Sequence, residues 1–242
     1  MKRLFLIINL LYCLSSFSQD FKQDQRVWFA YTGFLKVSNH WSYQAEAQFR
    51  MDNQLQQNQQ NLFRLGALYS ISSSKTIAVG NALVNTFSNS MDEYYKENRL
   101  WEQFQYSKKW NNDKNFFSHR FRLEQRWVEK KDRIDNEIKS IATNYQNRLR
   151  YLNRNLFHLC NFNSENADLY AIIQEEVFFT LGNNNINTKL IDQNRFLVGL
   201  GLNFKSNMRF ELGYLNNYIT SPSKTDVMNH TISISVTQNL AL

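Results

Sequence analysis

The stretch WSYQAEAQFRMD, Trp41 to Asp52, decides the fold. Trp41, Tyr43, Ala45, Ala47, Phe49 and Met51 occupy its odd positions, while Ser42, Gln44, Glu46, Gln48, Arg50 and Asp52 occupy its even ones. Successive side chains of a β-strand point to opposite faces, so this spacing makes one face apolar and the other polar and charged. The same grammar recurs outward from it, in segments 26 to 38, 61 to 71, 76 to 88, 95 to 109, 116 to 129, 143 to 160, 168 to 181, 191 to 204, 208 to 219 and 229 to 242. Most are long enough for a tilted strand to cross a hydrocarbon layer, which takes about nine residues or more, whereas strands of soluble proteins usually run about five or six.

The joints between segments alternate in length. Ser38 to His40, Ser72 to Lys75, Asn111 to Asn115, Asn161 to Ala167 and Lys205 to Asn207 read as the shorter set. Asn53 to Gln60, Asn89 to Tyr94, Lys130 to Ala142, Gly182 to Leu190 and Thr220 to Met228 read as the longer one. Outer-membrane barrels have short periplasmic turns and longer external loops, which places the second set outside. The segments number eleven, yet single-chain bacterial barrels carry an even number of strands as a rule. The expectation is therefore an all-β, antiparallel up-and-down transmembrane β-barrel of about twelve strands, one of them hidden in an ambiguous stretch. Ten is the alternative, with the segment from Arg26 not a full wall strand.

The N-terminus reads as a signal peptide over residues 1–18: Lys2 and Arg3, an apolar run from Leu4 to Leu14, then Ser16 and Ser18 before Gln19. Tyr12 precedes Cys13, which does not fit a lipoprotein signal. Residues 19–242 then form a single barrel domain that keeps one cysteine, Cys160, and no internal disulfide. Beyond the leader no stretch has the roughly twenty apolar residues of a spanning helix. A mean hydropathy of -0.54 beside 15% aromatic residues, one Pro and seven Gly suits an aromatic-girdled barrel, in which each apolar residue has a polar neighbour. The basic residues behind the net charge of +7 are spread among strands rather than clustered, which argues against a nucleic-acid partner.

Parity sends Arg26, Glu46, Arg50, Arg64, Glu97, Arg99, Gln103, Gln105, Arg120, Arg122, Glu124, Arg126, Arg148, Arg150, Gln174, Glu176, Arg195, Arg209 and Glu211 to one face. A Lys or Arg facing lipid at the midplane costs about 2 to 4 kcal/mol, so this face is the interior. Arg50, Glu97, Arg99, Arg120, Arg122, Glu124, Arg126, Arg148, Arg150, Glu176, Arg195, Arg209 and Glu211 form the candidate lumen charge network. Folding the hairpins brings Arg26 near Asp52 and Glu124 near Arg148. Two readings follow: a salt-bridged ladder that stiffens a closed barrel, or a narrow pore lining whose Arg excess favours small anionic solutes. Glu102 and Glu175 fall on the outer parity, as residues near an interface or at a register slip.

A third and less favoured reading is an outer-membrane hydrolase, for which the sequence offers no clear constellation, and no catalytic, cofactor or metal residue is assigned. The four histidines, His40, His119, His158 and His230, lack metal-ligand spacing. Ser118 and His119 are adjacent in a strand and so face opposite sides, while His230 with Ser221, Ser223 and Asp226 is a combination common by chance. The final strand, with His230, Ile232, Ile234, Val236, Gln238, Leu240 and Leu242 on one face, is similar to the terminal assembly signal of outer-membrane barrels, although it ends on Leu rather than an aromatic residue. The barrel-assembly machinery is the expected partner of this strand, and outer-membrane lipid that of the wall.

One family shares a series of landmarks with this chain: Trp28; Trp41 to Arg50; Arg64-Leu65-Gly66 with Tyr69; Glu97-x-Arg99-x-Trp101-x-Gln103; His119-Arg120-x-Arg122-x-Glu124-x-Arg126; Asn147-Arg148-x-Arg150-Tyr151; Glu176-x-Phe178; and Asp192-Gln193-Asn194-Arg195. In these the chain resembles domain of unknown function 2490. The resemblance covers nearly the whole chain after the leader. It implies a bacterial outer-membrane β-barrel in the cell outer membrane, with no known activity and no catalytic or binding residue to carry over.

Overall fold

The computed structural model describes residues 21–52, 56–162, 167–182, 186–187, 189–221 and 225–242, so the expected signal peptide lies outside the described residues. The described chain is a closed all-β barrel. Its strands are β1 (Phe21–Lys36), β2 (Trp41–Asp52), β3 (Gln57–Ser70), β4 (Lys75–Ser88), β5 (Glu93–Trp110), β6 (Asn115–Ile134), β7 (Glu137–Phe162), β8 (Ala167–Leu181), β9 (Ile191–Phe204), β10 (Met208–Ile219) and β11 (Asp226–Ala241). Each pairs with its sequence neighbours, and β1 closes the ring against β11. Closure satisfies the backbone hydrogen-bonding groups without leaving an open sheet edge, the condition for crossing lipid with strands.

Among the described residues the strands number eleven, which corrects the expectation of twelve and its alternative of ten. Among the described residues no additional strand lies between the segments, and β1 is a full wall strand, paired with β2 from Val27 to Lys36 and with β11 from Phe21 to Lys36. The wholly antiparallel expectation changes with the count. When strands alternate in direction, the first and last of an odd number run the same way, so the β1·β11 seam is parallel. The other ten pairings are antiparallel.

The loop from Lys130 to Ala142 is also corrected. β6 and β7 continue as a paired ribbon, Lys131 opposite Ser140 and Ile134 opposite Glu137, and turn at Asp135 and Asn136. Both turn residues have positive φ, 53° and 64°, the conformation that tight two-residue hairpins require and that Asp and Asn tolerate. The ribbon is charged and largely exposed, so composition made it look like a loop while its backbone stayed in the ladder.

The two faces of the wall differ as the alternation requires. Phe29, Phe49, Phe63, Leu65, Leu83, Phe121, Phe196, Leu212 and Ile232 are exposed on the outside. Arg64, Arg99, Arg122, Glu124, Arg148, Arg150 and Glu176 are buried within. Phe121 is 45% exposed and its neighbour Arg122 only 2%, the reverse of a soluble barrel with a dry apolar centre. Glycines shape the interior where large rings enter. A side chain at Gly66 or Gly80 would meet the Trp101 ring at 2.5 Å, so the two glycines make the slot in which Trp101 is fully buried.

Candidate functional site

The strands bring the charged residues into three linked groups inside the barrel. In the first, Glu124 on β6 accepts from Arg148 at 2.6 Å and from Arg150 at 2.7 Å, both on β7. Arg150 continues to Glu176 on β8 at 2.7 Å, and Glu176 also takes Arg120 at 2.7 Å and Arg195 at 3.8 Å. Arg148 reaches on to Asp192 at 3.1 Å, and Asn187 bonds that same carboxylate at 2.9 Å. The residues before β9 are thereby tied to the interior.

The second group is smaller. Glu97 on β5 holds Arg99 at 2.6 Å and Arg126 of β6 at 2.5 Å. In the third, toward the opposite mouth, Glu211 accepts from Arg154 at 2.5 Å and from the Tyr170 hydroxyl at 2.7 Å, with Arg209 at 3.8 Å. Arg64 and Glu46 form a further pair. At the rim Arg26 lies 3.7 Å from Asp52.

Aromatic rings occupy the spaces between like-charged guanidinium groups. Trp28 lies between Arg50, 4.1 Å from its ring centre, and Arg195, at 5.0 Å. Phe178 lies under Arg148, Arg150 and Arg195 at 5.1, 4.5 and 4.5 Å. Trp101 carries Arg122 at 4.7 Å. A ring face attracts cations, so a buried aromatic residue separates and partly compensates neighbouring guanidinium groups that have too few carboxylates.

Carboxylates are in fact short here. Arg50, Arg64, Arg99, Arg120, Arg122, Arg126, Arg148, Arg150, Arg154, Arg195 and Arg209 face Glu46, Glu97, Glu124, Glu176, Asp192 and Glu211. Among the described residues, Arg50 and Arg122 have no carboxylate within ion-pair distance. Arg50 donates to the side-chain carbonyls of Gln48, at 2.8 Å, and Gln60. Arg122 donates twice to Gln103, at 3.0 and 2.6 Å, and leaves its buried Nη1 unbonded.

Two cavities flank the network. One of about 410 Å³ is lined by Glu97, Arg99, Arg126 and Arg148 among others, and one of about 430 Å³ toward the opposite mouth by Arg120, Glu176, Arg209 and Glu211 among others. Gln48 and the four arginines Arg50, Arg64, Arg150 and Arg195 line both and so mark the pinch between them. Of the expected network, Arg122 and Glu124 are buried and line neither of these two cavities.

Trp28, Trp101 and Phe178 were among the family landmarks but not in the charge network, and Arg154 was missed altogether. Strand parity could have supplied them, since Trp101 sits between Arg99 and Gln103, Phe178 two residues beyond Glu176, and Arg154 four beyond Arg150. Asn187 carries no such signal, because it lies outside the alternating segments. Of the side chains weighed for hydrolysis, Asp226 accepts from the Ser221 backbone N–H at 2.8 Å, and His119 and His230 have different partners. Ser118 is buried inside while His119 bonds Tyr151 at 2.9 Å, and His230 bonds Tyr214 whereas Asp226 bonds Tyr218 and Lys189. Ser223 lies outside the described residues. Glu102 faces outward in unbroken register with both neighbouring strands, so a register slip does not account for it; Glu175 also faces outward, three residues before a register shift at Phe178/Phe179.

The family model of a protein of unknown function (DUF2490) matches residues 25–229. No curated protein matches the chain. Among solved structures, the β domain of the Bordetella autotransporter BrkA is similar with a TM-score of 0.47 and 8% identity, over 74% of this chain and 78% of that one. The NanC porin is similar with a TM-score of 0.46 and 12% identity, over 85% of this chain and 93% of that one.

Proposed function

From the premise that this chain belongs to the DUF2490 family of proteins of unknown function, we propose that it is an integral outer-membrane β-barrel whose interior is a narrow, anion-preferring passage. The observation that carries this reading is the pinch formed by Arg50, Arg64, Arg150 and Arg195, in an interior where arginines outnumber carboxylates. An apolar outer wall suits lipid, and the polar interior suits water and small solutes. Within a low-dielectric wall such a cationic excess concentrates anions and repels cations. Arg50, which has carbonyl partners only, is free to exchange them for a passing carboxylate, phosphate or chloride.

The purified full-length protein in a planar bilayer under a salt gradient tests this. The expected result is a small conductance with a reversal potential on the anion side, moved toward zero by Arg50→Gln together with Arg195→Gln. Absence of conductance, or cation preference, removes the channel. The second reading is a non-conducting barrel closed by its own ion pairs. It is favoured by the continuous chain from Arg148 through Glu124, Arg150 and Glu176 to Arg120. Under that reading charge removal at Arg122 and Arg150 lowers heat resistance and leaves no conductance to alter.

A further inference from the structure

The outer wall carries a polar patch, centred on β5, that its own residues leave unsatisfied. Leu100, near the middle of β5, is opposite Asn81 on β4 and Gln125 on β6, with Asn98 and Glu102 two residues to either side along its own strand. Gln125 is in turn opposite Asn147 on β7. Several polar groups elsewhere on this wall are paired in place: Glu175 accepts from Asn194 at 3.1 Å, His119 bonds Tyr151 at 2.9 Å and His230 bonds Tyr214. Around Leu100 the pairing is incomplete. Asn81 donates to Asn98 at 2.6 Å and to the Arg99 carbonyl at 2.9 Å, but the Gln125 Oε1 is buried without a partner. Glu102 is exposed between Val79 and Leu123 and has no bonded partner among the described residues.

A carboxylate facing hydrocarbon is costly, because lipid offers nothing to hydrogen-bond it, and the amides around Glu102 have donors to spare. We infer that this face of β4 to β7 is the contact surface for a second copy of the chain, two barrels meeting across Leu100 with Asn81, Asn98, Glu102 and Gln125 bonded between them. The inference rests on the outer wall facing lipid, as proposed above. A second copy fits better than lipid, whose acyl chains supply no donors. It also fits chemically, since amides both donate and accept and a patch rich in them is complementary to itself. A two-fold axis along the membrane normal keeps both copies in the same orientation and brings the same patch together.

The test uses the full-length protein, with Cys13 and Cys160 changed to Ser, extracted from membranes in a mild detergent. Light scattering should give twice the mass of the chain, and Asn98→Cys should form a disulfide-linked pair in intact membranes, while Val198→Cys on the far wall should not. Glu102→Leu with Gln125→Leu should fold, stay in the membrane and run at the mass of one copy. A membrane-embedded wild type with the mass of one copy and no Asn98→Cys pair overturns the inference and leaves the membrane barrel standing. So does a pair that survives the double leucine variant, or an Asn98→Cys link to a different protein. Release of the wild-type chain by alkaline carbonate overturns the membrane reading itself, and this inference with it.

Discussion

At the residue scale the interior is governed by one asymmetry: a buried arginine tolerates the loss of a glutamine partner far better than the loss of a carboxylate. Glu124 is 1% exposed and binds Arg148 and Arg150 at once, so it neutralises part of two buried cations. Glu124→Gln keeps the shape and some hydrogen bonding but leaves those guanidinium groups facing Arg122 and Arg126 without it. Removing one partner of a buried ion pair typically costs about 3 to 5 kcal/mol. The variant should therefore unfold at clearly lower urea concentration, followed in detergent by the gel shift between folded and heat-denatured barrel. Glu137→Gln, at the exposed tip of the β6–β7 ribbon, serves as the comparison and should change little. Equal midpoints for Glu124→Gln and wild type would mean that the arginines draw their compensation from water and aromatic rings.

At the scale of the element, the seam between β1 and β11 distinguishes this barrel from an even-stranded one. Ala30 lies opposite Ser235, and both side chains sit on the inner parity of their strands. Directly opposed strand positions come within the range of about 4.4 to 6.8 Å between Cα atoms that a disulfide bridges. Ala30→Cys with Ser235→Cys, in a chain without Cys13 and Cys160, should thus form an intramolecular disulfide that makes the denatured chain run faster on a non-reducing gel. Shifting one partner to Val236, which points outward, should abolish it. If the shifted pair links and the aligned pair does not, the register is wrong by one. This seam also shows where sequence reading stops. Alternation in Trp41 to Asp52 or His119 to Trp127 gives the strand, its faces and the inward arginines from local sterics alone. Strand number depends instead on whether distant edges meet, and neither β1 nor β11 encodes its partner locally. The ribbon around Asp135 misled for a related reason: outside the apolar belt a strand has no greasy face to reveal it, so its charges read as loop. Trp28, Trp101 and Phe178 were obscured because inward aromatic residues break the polar pattern, although each lies against one or more arginines.

At the scale of the whole molecule the interior is a cationic stretch between two cavities, and its proposed selectivity comes from a field rather than from a shaped pocket. That origin has a measurable signature. Fields between charges are screened over a distance of about 30 Å at 0.01 M salt and about 3 Å at 1 M. Arg50, Arg64, Arg150 and Arg195 all border both cavities, so at low salt every ion crossing the pinch feels the four charges together. At high salt it feels only the nearest. Anion preference, read from reversal potentials at a fixed ratio of salt across the bilayer, should therefore be strong near 0.01 M and collapse toward non-selectivity near 1 M. Arg50→Glu sharpens the test because it replaces a positive charge by a negative one at the pinch without touching the chain from Arg148 to Arg120. It should weaken or reverse the preference at low salt and make almost no difference at high salt. Selectivity that holds its value across this range, or an Arg50→Glu effect that is the same at both ends, would place discrimination in direct coordination or size exclusion instead of in the summed charge of the lumen.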